Sequence, residues 1–300
     1  MTTSDDIVTR LRDSYHHVSF RPRDFLPEKL CHYTSAGGLL GILESGVLRG
    51  TNYAYLNDAS EIRYGDQFVR DVLGDYRKYS VGDARDVVEV MFRSLGQIAE
   101  RIEFYLTCFC TEADLLSQWR GYGSVSGRYC IVFDPEQLYN ATTMPERVYF
   151  GRVIYEREEQ VEEVRSVVDR AVEAAEALAE LDEAQKKLCA RRICTVVFEK
   201  LVETICLFKH RGFREESEWR AVHWLQDIKQ VEFDARSGVI RPFVSMFSGE
   251  GEPSKLPISE IIVGSSGLVA QARKSVELLL DKRGYTGVSV SDSGVPYRDT

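Results

Sequence analysis

Glu215-Glu216-Ser217-Glu218-Trp219-Arg220-Ala221-Val222-His223-Trp224 is a strand with charged residues at its head: small, β-branched and aromatic residues follow two closely spaced carboxylates. Side chains of a strand alternate between faces, so an extended chain here sets Glu216, Glu218 and Arg220 on one side. Two carboxylates so close either form a charged edge that discourages aggregation or a working pair in which one carboxyl is pushed up. Arg220 on that face either pairs with the carboxylates as structure or reaches an anionic ligand such as a diphosphate.

Working outward, the chain alternates short strands and helices without a βαβ rhythm. Leu30–Ser35 reads as a strand ending on a Ser/Thr cap, and the segment from Gly37 to Ser45 as a short helix closed by Gly46. Val47–Thr51 continues extended, and Asn57-Asp58 forms a turn with Glu61 at capping-box spacing. Helical periodicity covers Glu61–Leu73 and Asp83–Glu103, the latter through Val87, Val88, Met91, Leu95, Ile98 and Ile102. Phe104–Cys110 and Tyr129–Asp134 are buried strands, with a capped short helix before Gly121 between them, and Val148–Tyr155 is another strand. Residues 156–208 turn helical and charged and read as a helical hairpin inserted into strand-forming sequence. Short strands, a loop from Ser248 to Pro257, a buried strand from Ile258 to Gly264, a helix from Leu268 to Lys282 and a closing strand from Gly287 to Ser291 complete the chain. The expectation is α+β with a mostly antiparallel sheet and surrounding helices. Residues 1–29 form an appendage, and 30–300 a single domain with its helical insertion at about 156–208.

The 300 residues carry 44% hydrophobic and 11% aromatic residues, enough for a packed core. A formal net charge of -9 argues against loose electrostatic binding to nucleic acid, leaving a local basic groove from Arg120, Arg128, Arg147, Arg152, Lys209, His210, Arg211 and Arg214. Seven scattered cysteines make no disulfide framework and lack metal-site spacing, so no metal is expected. No secretion-like start and no run of ~18 apolar residues is present, which points to a cytoplasmic protein without a membrane partner. No Gly-x-Gly-x-x-Gly or Walker pattern occurs, arguing against Rossmann or P-loop nucleotide sites.

An ordered set of motifs carries a family likeness: His32-Tyr33-Thr34-Ser35; Leu56-Asn57-Asp58 with Glu61; Cys108-Phe109 with Asp114 and Gln118-Trp119; Cys130-Ile131 with Phe133; Glu216-x-Glu218-Trp219-Arg220; and Ile261–Gly264. Together, over about residues 30–298, they resemble a widespread bacterial family of unknown function catalogued as DUF2971. The front end is also similar to the ADP-ribosyltransferase superfamily, in particular its DNA-targeting toxin branch. That second resemblance implies a split-sheet transferase fold and NAD as a substrate. It implies an NAD-binding set of His32, Tyr33, Thr34 and Ser35, with Asn57 in the loop framing the pocket, and a nicotinamide-stacking aromatic among Tyr53, Tyr55 and Tyr122. It also implies Glu218 as catalytic carboxylate at the ribose, with Glu216 toward the acceptor and Arg220 beside them. His32 has the alternative of a core histidine, and Trp119 and Trp219 read as core. The implied activity is that of a toxin or anti-phage effector modifying a protein or nucleic acid, with a neutralising partner protein compatible with it. Two alternatives stand beside it: a non-catalytic module sensing a nucleotide or phage protein, and an NAD glycohydrolase.

Overall fold

The computed structural model describes residues 3–19, 26–56, 60–95, 102–121, 128–143, 148–224, 227–236, 238–251 and 254–296. The chain has an α+β fold whose residues group into two compact units.

The first unit is helical and gathers three separate parts of the chain, Met1–Arg21, Leu56–Glu103 and Val153–Phe213. It contains α1 (Ser4–Ser19), α3 (Ser60–Tyr79), α4 (Gly82–Ser94), α7 (Arg157–Glu176) and α8 (Glu183–Cys206). Apolar periodicity made these helices and also packs them. Val164, Val167, Val168, Ala171 and Ala175 are the buried stripe of α7, and Ile193, Val196, Val197, Leu201 and Ile205 that of α8. Against these stripes lie α1, through Ile7, Val8, Leu11 and Tyr15, and α4, through Val87, Val88 and Met91. The Tyr15 hydroxyl donates to the Val167 carbonyl at 2.8 Å. Helix α3 meets α8 so closely that a Cβ on Gly65 would stand 2.4 Å from the Ile205 carbonyl oxygen. The stretch 156–208 is a pair of helices as its periodicity required, and it groups with Met1–Arg21 and Leu56–Glu103 in the helical unit. The first helix, counted with the appendage, belongs to the same unit. Period alone could not reveal this, because it says which face of a helix is buried and not against what.

The second unit comprises Pro22–Tyr55, Phe104–Arg152 and Arg214–Thr300 and holds the sheet. Its strands are β1 (Leu30–Ser35), β2 (Val47–Asn52), β3 (Phe104–Cys110), β4 (Arg128–Phe133), β5 (Val148–Arg152), β6 (Glu218–Trp224), β7 (Glu232–Arg236), β8 (Val239–Ser248), β9 (Ile258–Val263) and β10 (Ser289–Asp292). Around them lie α2 (Ala36–Ser45), α5 (Leu116–Gly121), α6 (Pro135–Asn140) and α9 (Val269–Arg283). Every pairing of these named strands is antiparallel except β9 with β10. Local chemistry sets the joints. The Ser35 side chain accepts the Gly38 N–H at the start of α2, and Gly46 closes that helix with φ +64°, a conformation that glycine adopts without cost.

The sheet forks at β3. Strand β6 takes one edge of β3 along all of 104–110, so β1 and β2 share the other, β1 at Cys110 and β2 at Leu106 and Tyr105. On one side of the fork run β1, β4, β9 and β10; on the other, β3 with β6 and β5, and β2 with β8 and β7. Side chains bond across the opening: His32 Nδ1 lies 2.9 Å from the Cys108 carbonyl, and Thr107 Oγ1 donates to the Arg49 carbonyl at 3.1 Å.

Candidate functional site

The acidic strand begins later than its alternation implied. Residues Arg211–Glu216 form a short 3-10 turn, Ser217 takes φ +42°, and β6 starts at Glu218. Glu216 therefore lies before the strand, half-buried at the end of the turn, and the expected same-face pair of Glu216 and Glu218 does not form in that way. A left-handed backbone is unfavourable for serine, so the turn carries strain immediately before the candidate carboxylate.

Glu218 and Arg220 do share a face, and they use it on each other. Arg220 Nε donates to Glu218 Oε1 at 2.8 Å and Nη2 to Oε2 at 2.9 Å, a two-bond ion pair between side chains only 2% and 7% exposed. Such a fork-to-fork pair fixes both groups, and removing one partner would leave a buried charge. The register sets Cys110 beside Glu218, and Cys108 and Gly151 beside Arg220. A hydrogen bond with Cys31, followed by burial, pushes the Cys110 thiol well above its ordinary range, so it behaves as packing and not as a nucleophile.

Parity through the register decides which other expected residues can join them. Cys110 lies opposite both Cys31 and Glu218, so Cys31, Tyr33 and Ser35 share the Glu218 face while His32 and Thr34 face the other way. His32 packs edge-on to Phe109, at 6.0 Å between centroids, and Phe109 in turn meets Phe133, Phe150 and Phe247. A carbonyl can only accept, so Nδ1 of His32 carries the proton it shares with Cys108. Burial lowers the His32 pKa, outweighing the Cys108 hydrogen bond that raises it, and so favours the neutral ring. The core-histidine alternative thus has the geometry behind it, and the structure does not bring His32 and Glu218 to one side of the sheet.

The remaining expected residues are scattered. The Tyr33 hydroxyl is engaged, donating to the Glu112 carbonyl at 3.0 Å and accepting the Leu115 N–H at 2.8 Å. Ser35 is a helix cap, and Thr34 Oγ1 lies where a Cβ on Gly38 would be 2.0 Å away. Tyr53, in the 3-10 turn after β2, packs edge-on to Phe104 at 5.9 Å, whereas Tyr55 is exposed. Phe104 belongs to the face of β3 that carries Cys108 and Cys110, which places Tyr53 against the Glu218 side. Asn57, Asp58 and Tyr122 lie outside the described residues. Glu61 sits in the first turn of α3 and pairs with Lys209 Nζ at 2.8 Å, so its carboxylate serves the helical unit. Of the basic residues expected to group, Lys209 and Arg128 are buried and Arg147 lies outside the described residues.

Sequence reasoning undervalued Asp114. Its Oδ1 accepts Trp119 Nε1 at 2.6 Å and the Ser293 hydroxyl at 2.5 Å, and its Oδ2 accepts the Gly294 N–H at 2.8 Å. Trp119, as expected, is core, edge-on to Tyr33 at 4.7 Å. The five-residue spacing of an acid and a tryptophan was the signal available; the C-terminal partners, 180 residues away, had none.

Residues 118–221 match the family described as Protein of unknown function (DUF2971). This is the family expected from the ordered motifs, and the matched stretch runs from Gln118-Trp119 through Glu218 and Arg220. No curated protein and no solved structure matches the chain. Within the DUF2971 stretch the Glu218–Arg220 pair joins burial, fixed orientation and an adjoining strained turn, and it is the candidate site. Among the described residues no group of three or more His, Cys, Asp or Glu is placed to hold a metal ion, and no helix is long and apolar enough to cross a membrane.

Proposed function

We propose that the chain cleaves NAD between nicotinamide and ribose and passes ADP-ribose to a macromolecular acceptor, with Glu218 as the residue that meets the ribose. The observation that carries this is a buried carboxylate held at the head of β6 by two hydrogen bonds from Arg220, directly after the strained Ser217. Loss of nicotinamide develops an oxocarbenium-like centre, and a fixed carboxylate stabilises it without reorganising in the transition state. In the resting pair the two charges offset each other. An incoming diphosphate that engages Arg220 would leave the Glu218 charge to the ribose. The forked sheet agrees with the split sheet implied by the resemblance. His32 takes no part in this proposal, because it faces away from Glu218, and Glu216 is given no step, because the strand does not fix it.

A second reading, a module that senses a nucleotide without turning it over, draws on the same pair: both oxygens of Glu218 are already engaged. One experiment separates the two. The purified chain is incubated with NAD and with protein and DNA acceptors, and free nicotinamide is measured by chromatography alongside NAD binding by calorimetry. Nicotinamide release that Glu218→Gln cuts on the order of a hundredfold, the cost of losing one electrostatic stabiliser, supports catalysis. Binding with no release selects the sensing module, and neither binding nor release overturns both.

A further inference from the structure

We infer that Arg49 and Arg241 form a phosphate-binding site on the exposed end of the β2–β8–β7 face, an assignment that stands without the NAD reading. Arg49 projects from β2, and Ser245 on β8 lies opposite it in the register. Its guanidinium lies over the Phe243 ring, 4.1 Å from the centroid, and its side chain is 43% exposed. Its contact with Asp234 Oδ2, at 3.7 Å, is longer than a hydrogen bond. Among the described residues, none of the Arg49 side-chain N–H groups makes a hydrogen bond. A guanidinium already oriented on an aromatic ring, with its donors unused and its edge open to water, is prepared for a planar anion at little entropic cost.

The second cation is a neighbour. Arg241 bonds Asp234 through Nε at 3.2 Å to Oδ1 and Nη2 at 3.1 Å to Oδ2, so both guanidiniums converge on the same carboxylate oxygen. One carboxylate shared by two guanidiniums leaves attraction for a further anion between them, and arginine forks match phosphate oxygens. Glu232 acts against this attraction: it is exposed on the edge strand and accepts the Ser245 hydroxyl at 2.9 Å, on the same face. The geometry therefore points to a phosphate or diphosphate group, which binds through the open fork of Arg49 and the N–H groups of Arg241 not spent on Asp234 and outweighs one repelling carboxylate, and not to a weakly charged carboxylate ligand.

The probes are inorganic pyrophosphate and ADP, titrated into the full chain by calorimetry at low salt. Pyrophosphate carries no glycosidic bond, so the result is independent of any NAD cleavage. Both probes are expected to bind and to weaken as salt rises. Arg49→Ala should lose at least tenfold in affinity, Arg49→Lys should lose part of that because an ammonium lacks the fork, and Glu232→Gln should bind several-fold tighter. Equal binding of the two probes assigns the site to the free anion, and tighter ADP assigns it to a nucleotide. No heat with either probe, or parental affinity in an Arg49→Ala protein whose circular dichroism is unchanged, would overturn the inference.

Discussion

Ser217 is where backbone cost and candidate chemistry meet. A non-glycine residue in the left-handed region costs about 1 kcal/mol or more, and Ser217→Gly should recover roughly that much, raising the melting temperature by a few degrees as read by calorimetry. If the strain contributes to how Glu218 is presented, nicotinamide release by this variant should fall while its stability rises; a rise in both would separate the strain from function. The neighbouring ion pair changes what Glu218→Gln means. Buried pairs broken on one side typically cost about 3–5 kcal/mol, and glutamine retains a hydrogen-bond acceptor but leaves Arg220 charged, so this variant should be less stable as well as slower. The double variant Glu218→Leu with Arg220→Met should be more stable than either single change, and a chemical-denaturation cycle checks the coupling. A double variant as unstable as the sum of its singles would show that the two residues serve separate partners. The alternation of the strand from Glu218 onward was legible in the sequence, whereas the turn at Ser217 was not, since serine carries no mark of a positive φ.

Elements were more legible than single residues, for reasons that differ from one to the next. Phe104–Cys110 read as a buried strand because apolar residues fill all of it but Thr107, and it became the strand at which the sheet forks, paired with β1, β2 and β6. Ser35 and Gly46 marked the ends of α2 because cap chemistry is local. The fork was invisible: pairing β1 and β2 to one edge of β3 depends on contacts dozens of residues apart. The same holds for Asp114, which ties α5, through Trp119, to the segment at Ser293 and Gly294. Hydrogen bonds to a charged group contribute about 1.5–3 kcal/mol each, so Asp114→Ala should lower stability by at least one such bond. Removal of residues 293–300 should cost a similar amount, and the two changes together should cost clearly less than their sum, because each removes the same clasp. Full additivity in urea unfolding would mean that Asp114 stabilises only its own loop.

At the scale of the whole molecule, the division into a helical and a sheet unit changes what can be removed. Helices α7 and α8 supply the stripes against which α1 and α4 are buried, so deletion of 156–208 should abolish the helical unit's cooperative unfolding. A deletion mutant that keeps the circular-dichroism signal and melting of α1, α3 and α4 would show that these helices hold without it. Glu203 on α8 gives the same unit a pH dependence. Burial, opposed by Lys200 at 3.4 Å and reinforced by Glu199 and Glu163, raises its pKa from 4.5 to about 7. The folded state thus keeps a proton that the unfolded state releases between those values. Stability contributed at this position is full below the unfolded pKa and is lost progressively as pH rises toward 7, where the folded carboxyl also ionises. Glu203→Gln keeps the uncharged shape at every pH. Its melting temperature should match the parent near pH 4.5 and exceed it by a few degrees at pH 8, with the difference opening across that window. A difference that is constant with pH, or that opens on acidification, would show that Lys200 and not burial controls the group.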